Sequence, residues 1–250
     1  MKVSIITVCY NSEATLEDTL RSVKQQDHSG IEHIVIDGGS SDKTLSILEK
    51  HKSSIAKLVS EKDRGIYFAI NKGIAMATGD IVGILHSDDF YASDRVISRV
   101  VREFTSRGKD SVYGDLQYVS RENPEKVVRY WKSEAFDPRL FLKGWMPSHP
   151  TFFVKRKIYS ECGIFDTQFT QAADYELMLR FLYKHKISAS YIPEVLVKMR
   201  AGGVSNRSVR NRVKANAEDR LAWKVNGLKP TLFTLILKPL SKLRQFFQLR

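Results

Sequence analysis

Residues 79–89 read GDIVGILHSDD, an apolar run that closes on a histidine, a serine and two adjacent carboxylates. A short apolar run bounded by polar residues reads as a buried strand. Two neighbouring carboxylates at its end repel each other and lose hydration. A divalent cation would compensate them, because hard cations take oxygen ligands. The bare pair also fits a plain turn before a helix over residues 93–104. Its position along the chain gives it weight.

Upstream, short apolar runs alternate with helical patterns. KVSIITVCY predicts a first buried strand, and residues 12–26 a helix with Ser12 as N-cap and Leu16, Leu20 and Val23 on one face. IEHIVID is a second strand, GGSSDKT a turn, and residues 43–51 a helix opened by Asp42. IAKLVSE is a third strand, and residues 66–77 a helix closed by Gly79. The run at 80–85 is then the fourth strand. Such β-α-β order implies a mostly parallel sheet covered by helices, with ligands beyond the carboxyl ends of its strands. The polar clusters YNSE, DGGSSD, EKDRG and HSDD all fall at those ends.

The second half is less regular. SVYGDLQYV and EKVVRYW read as paired strands, TFFVKR as a short one, and residues 188–199 as one or two. Residues 174–185 and 205–226 read as helices, the second strongly basic. The expected layout is one domain over residues 1–200 and a basic helical extension over 201–250.

Composition narrows the classes. The 250 residues are 42% hydrophobic and 27% charged, a globular balance. MKVSIITVCYNSE reads as a core strand, not a signal peptide, and no run of 18 apolar residues suggests a membrane span. Cys9 and Cys162 follow no metal-ligand spacing, and a disulfide is not expected, which fits a reducing compartment. The net charge of +12 is lopsided, with 13 Lys/Arg against 2 Asp/Glu from residue 198 onward. A basic tail suits nucleic acid or an anionic membrane. In residues 232–249, Phe233, Ile236, Leu240, Leu243 and Phe247 recur at helical spacing with Lys238 and Lys242 opposite, a pattern that suits a membrane interface or docking on the chain's own core or a second subunit.

Several residues stand out chemically. Asp37 ends a core strand and points at the crevice. Asp174 opens a helix, which a helix dipole alone would explain. His149 lies in a loop, and Arg200 precedes paired glycines that would let a loop close over a phosphate. The first βα turn, CYNSEATLE, lacks the glycines of a dinucleotide fold, and no phosphate-binding Walker loop occurs. A bound diphosphate would need another counter-charge, such as a metal.

Together SIITVCYNSEATLEDTLRSV, HIVIDGGSSDKT, SEKDRGIYFAINKGIAMATGDIVGILHSDD, SHPTFF and ADYELMLR resemble the family-2 glycosyltransferases of the GT-A fold, from residue 3 to about 200. The resemblance is greatest to compact bacterial members that build surface polysaccharides. It implies an inverting transfer of a hexose or N-acetylhexosamine from a nucleotide-diphosphate sugar, UDP-sugar favoured, to a lipid-linked glycan. Thr7, Tyr10, Asn11, Asp63 and Asn71 would bind the nucleotide-sugar, Asp37 would meet the base, and Asp88 would lie near the ribose. Asp89 would hold Mg or Mn, and Asp174 would be the catalytic base. His149 and Arg200 would belong to a loop over donor or acceptor. The family often has Asp where this chain has Phe68, and the Q-x-x-R-W signature of processive synthases is missing, which implies one sugar per encounter. A cytoplasmic place at the inner face of the membrane follows from the acceptor class. The competing classes are a nucleic-acid-binding module, which lacks a recognisable RNA-binding motif, and a dehydrogenase-like nucleotide enzyme, which lacks the glycines.

Overall fold

The computed structural model describes residues 1–202, 209–231 and 234. Its centre is a nine-stranded sheet in the order β3-β2-β1-β4-β8-β6-β9-β5, with β7 on the free half of β6. The first four are β1 (Val3–Cys9), β2 (Ile31–Asp37), β3 (Lys57–Ser60) and β4 (Ile81–Ile84), all parallel. Every residue of β1 is buried, which is why it reads as an unbroken apolar run instead of an alternation. Helices α1 (Leu16–Lys24), α2 (Thr44–Lys50) and α3 (Ile66–Met76) form the crossovers. Helix α3 approaches β1 closely at Gly73, where a Cβ would sit 2.5 Å from Ile6 Cγ2.

Strand order reverses at β1, with β2 on one side and β4 on the other. Their carboxyl ends bracket the crevice where ligands of open α/β sheets bind. Two loops meet there, YNS after β1 and HSDD after β4, joined by a 2.9 Å bond between the Ser12 and Ser87 hydroxyls. That bond explains one difference from the expected helix. Ser12 spends its hydroxyl on Ser87 instead of capping, and α1 starts at Leu16 behind a turn in which the Ser12 carbonyl accepts from Thr15 and Leu16. Gly79 does not close α3, which ends at Met76. It lets the chain pass Ser4, whose backbone N would lie 2.7 Å from a Cβ at that position.

The sheet continues through β5 (Asp89–Tyr91), β6 (Ser111–Val119), β7 (Val127–Trp131), β8 (Phe153–Lys155) and β9 (Ala189–Arg200). β8 runs antiparallel to both β4 and β6, β9 is parallel to β6, and β5 is antiparallel to the end of β9. The pairing of β9 jumps from Ile192 to Val195, so Pro193 and Glu194 bulge out of the ladder, as a residue without an N–H must. Helices α4 (Val96–Arg107), α5 (Arg156–Cys162) and α6 (Ala173–Met178) follow, and α6 runs on into a π-helical turn over Leu179–Lys184. α5 and β5 were not foreseen.

The basic helix α7 (Val209–Val225) buries Ala222 and Trp223 completely in the same core as the sheet. The described part of α7 thus packs into the sheet's core. The apolar stripe at Phe233–Phe247 and the glycine loop after Gly202 lie outside the described residues.

Candidate active site

The wall on the β2 side is built around Asp37. It is fully buried, and its oxygens accept from the Gly39 and Ser40 backbone N–H (3.1 Å each), the Ser60 hydroxyl (2.7 Å) and the Ser40 hydroxyl. Burial pushes its pKa up, but these donors outweigh burial and hold it below the usual carboxylate value. Asp37 therefore holds the turn at the end of β2. Asn11 adopts a left-handed conformation, φ 48°, that turns its amide back onto the same turn. Its N–H donates to Ser40 Oγ at 2.8 Å and its Oδ1 accepts from Ser41 N at 2.9 Å. Asp42, one residue before the α2 N-cap Lys43, accepts from Thr44 N and Glu13 N and ties the two loops. Tyr10, 64% exposed, is the open aromatic face on this side.

Three other expected binding residues have structural partners. Thr7 is fully buried and shares a 3.0 Å bond with His33 Nε2 inside the sheet, so it lies beneath the crevice instead of lining it. Asn71 exchanges two bonds with the backbone of Phe165, at 2.8 and 3.0 Å, and clamps α3 to the segment before α6. Its amide is committed. Asp63 pairs with Lys72 through Oδ1 at 2.8 Å, while its Oδ2 is buried without a hydrogen-bond partner.

On the β4 side, Asp88 is half-buried and Asp89 is fully buried. Neither Asp89 oxygen has a hydrogen-bond partner. Burial first, and Asp88 second, drive its pKa well above the carboxylate range; the nearby backbone N–H and guanidinium of Arg200 oppose this without winning. Arg200 itself is 3% exposed. It donates to the Asp88 carbonyl at 3.0 Å and to Asp18 Oδ2, and its guanidinium lies over the Phe90 ring at 5.0 Å. These contacts engage the Arg200 guanidinium, and the glycine loop expected to close over a phosphate lies outside the described residues. Arg200 latches the end of β9 onto the HSDD loop.

His149 and Asp174, 25 positions apart in sequence, meet here. His149 stands on a short 3-10 turn (His149–Thr151), and Asp174 lies in the first turn of α6. His149 Nδ1 is 3.1 Å from Asp174 Oδ2, and both side chains keep about a quarter of their surface open, 28% and 23%. The His149 ring meets the His86 ring edge-on at 6.1 Å between centroids. His86 Nδ1 is buried without a partner; desolvation, then the neighbouring His149, lower its pKa to about 4, so it is neutral near pH 7. Sequence reasoning assigned His86 no role, although it stands inside the quoted HSDD stretch. The site thus joins the HSDD loop to Asp174 through two imidazoles.

Among the described residues no three His, Cys, Asp or Glu side chains form a ready metal cluster. A cation shared with a diphosphate does not need one, since one or two carboxylates plus phosphates suffice. The two unpartnered Asp89 oxygens, beside Asp88, fit that kind of site.

Comparisons with known proteins bear on the family and the fold. The glycosyl transferase family 2 profile matches residues 4–164. The uncharacterized glycosyltransferase Rv1514c of Mycobacterium tuberculosis is 35% identical over 180 residues, 71% of this chain and 68% of that one. A PGL/p-HBAD biosynthesis glycosyltransferase of Mycobacterium bovis is 26% identical over 211 residues, 82% of this chain and 80% of the relative. Among solved structures, S. aureus TarS 1–349 in complex with UDP-GlcNAc superposes with a TM-score of 0.73 at 18% identity, covering 100% of this chain and 73% of that one. Mannosyltransferase PcManGT from Pyrobaculum calidifontis, in complex with GDP-Man and Mn2+, gives 0.67 at 20% identity, covering 96% and 69%. The fold is that of GT-A glycosyltransferases, and the chain belongs to glycosyl transferase family 2.

Proposed function

We propose that this enzyme moves one sugar, with inversion, from a nucleotide-diphosphate sugar, UDP-sugar first, to a hydroxyl of a lipid-linked glycan in surface polysaccharide synthesis. The carrying observation is the placement of Asp174, one oxygen 3.1 Å from His149 and the pair set against the HSDD loop. Inversion is a direct displacement at the anomeric carbon. The acceptor hydroxyl must lose its proton as it attacks. Asp174 takes that proton while His149 fixes the orientation of its carboxylate. No covalent intermediate is required. Asp89, with Asp88 beside it, would hold Mg or Mn, and the cation would act as a Lewis acid for the charge growing on the departing diphosphate. Tyr10, Asn11 and Asp63 form the nucleotide side. Solved neighbours carrying UDP-GlcNAc, GDP-Man and Mn2+ support the donor class and the cation, and the named mycobacterial relative supports a glycan or glycolipid product.

The basic charge from residue 198 onward supports a peripheral place at the inner membrane face. Among the described residues no helix is long and apolar enough to cross a membrane.

A panel of nucleotide-sugars with manganese, scored by release of the nucleotide, tests the reading. Release from a UDP-hexose or UDP-N-acetylhexosamine, dependent on manganese, is expected. A folded protein that neither binds nor cleaves any nucleotide-sugar overturns it.

A further inference from the structure

Two side chains of α7, and Asn226 just after it, reach back to the segment that carries Asp174. The Trp223 indole N–H donates to the Tyr175 hydroxyl at 2.9 Å, and Asn226 Nδ2 donates to Glu176 Oε1 at 3.0 Å. Glu218 does more. Its carboxylate, 7% exposed, accepts from three successive backbone N–H groups: Thr170 at 3.1 Å to each oxygen, Gln171 at 2.7 Å and Ala172 at 2.9 Å. The Thr170 hydroxyl adds a fourth donor at 2.8 Å. The Tyr67 hydroxyl faces the next two N–H groups, those of Ala173 and Asp174.

The first N–H groups of a helix have no partner within it, and a local Ser, Thr, Asp or Asn ordinarily satisfies them. Here the N-cap is Ala172, which has no group to offer. The acceptor comes instead from a helix 46 residues further along the chain. The turn it holds is not itself buried, since Thr170 is exposed and Gln171 half-buried. Asp174 follows two residues after the cap. A misplacement of about 1 Å in a group that must meet a reacting atom is worth up to about 10²-fold in rate.

We propose that Glu218 is a positioning residue for the transfer: it fixes the 170–172 turn and so the direction in which α6 presents Asp174, a role that rests on Asp174 being the base. The basic segment then contributes to turnover through an acid that sits among its cations.

The test uses the full chain and four variants, Glu218→Gln, Thr170→Val, Asp174→Asn and the double variant Glu218→Gln/Asp174→Asn. Steady-state transfer with varied donor, UDP affinity by calorimetry and melting temperature are read for each. Glu218→Gln should lower kcat by about 10²-fold, with donor KM and UDP affinity unchanged. Thr170→Val, which removes one donor without touching α7, should lower kcat by a smaller factor at an unchanged melting temperature. The double variant should be no slower than Asp174→Asn alone, because effects that pass through one group do not multiply. A folded Glu218→Gln with wild-type kcat, losses that multiply in the double variant, or a rise in KM at constant kcat each overturns the proposal and leaves the base reading standing if Asp174→Asn is slow. Near-wild-type turnover by Asp174→Asn overturns both. Should Glu218→Gln fail to fold, Thr170→Val decides, and an unchanged kcat there counts against Glu218.

Discussion

Asp37 and Asp89 are both fully buried carboxylates at the crevice, one on each side of the point where strand order reverses. Asp37 is surrounded by donors: two backbone N–H groups and two hydroxyls. Asp89 has none in hydrogen-bonding geometry and a second carboxylate as its neighbour. Their pKa values accordingly move in opposite directions, down for Asp37 and up for Asp89. A buried charge without partners is costly, and it persists where a ligand completes it. The difference between them lies in the donors each one finds: the Asp37 turn supplies four, and Asp89 stands without one.

The largest expected effect breaks the chemistry while leaving both walls intact. In Asp174→Asn the amide oxygen can still accept from His149, so donor affinity and melting temperature should hold. Turnover should fall by about 10²–10⁴-fold. A large melting shift with near-normal turnover would return Asp174 to a purely structural role.

Next comes the comparison itself. Asp89→Asn should lower transfer by about 10²-fold or more, since a Lewis-acid contribution is worth several kcal/mol. Its melting temperature should rise or stay level. The sign follows from linkage: a carboxyl whose folded pKa lies above its unfolded value destabilises the fold at neutral pH, and the amide removes that burden. Manganese with UDP should stabilise the wild type and not the variant. Wild-type transfer by Asp89→Asn in the presence of manganese would remove the metal role.

Asp37→Asn should behave in the opposite way. Its new NH2 group faces the Gly39 or Ser40 N–H, and the turn should lose about 1–3 kcal/mol of stability. The wild-type contribution is present above the unfolded Asp pKa and is lost as pH falls through the lowered folded value. Thermal melts between pH 7 and pH 2 check this. If Asp37→Asn melts like the wild type but loses nucleotide binding, the residue contacts the base after all.

The smallest effect concerns the floor beneath the crevice. Burial lowers the His33 pKa to about 4. The unfolded chain therefore takes up a proton near pH 6.5 that the folded chain refuses, and stability falls as pH drops from 6.5 toward 4. About 1 kcal/mol should go between pH 6.5 and 5.5. His86, lowered to about the same value, adds a similar share, so His33→Gln should remove roughly half of the slope, and an unchanged slope would assign it to His86 or to another group.

The first half of the chain was legible because its information is local. β1 to β4, the crossover helices and the polar clusters at the strand ends follow from runs and spacings within about thirty residues, and order alone puts those clusters on one edge. The HSDD pair was singled out the same way, from its strand end, whereas Asp174 was singled out by the family resemblance, because its helix start alone pointed only to the helix dipole. The partners of Arg200 were not legible, because its sequence neighbours are glycines, whereas its spatial neighbours are Asp18, Phe90 and the Asp88 carbonyl. The partner of Asn71 was hidden similarly, since it is the backbone of Phe165, which no side-chain pattern records.

What the sequence determined by itself is therefore the architecture of the parallel half and the set of acidic residues at its carboxyl edge. Tertiary structure alone decided which of those acids have partners. It brought His149 to Asp174 across 25 positions, made β5 a strand by pairing it with the end of β9, and set Glu218 under the start of α6. The reason is physical. Strand and helix signals come from near neighbours along the chain. The state of a buried charge depends on every dipole and charge around it, most of them distant in sequence and placed only when the chain has folded.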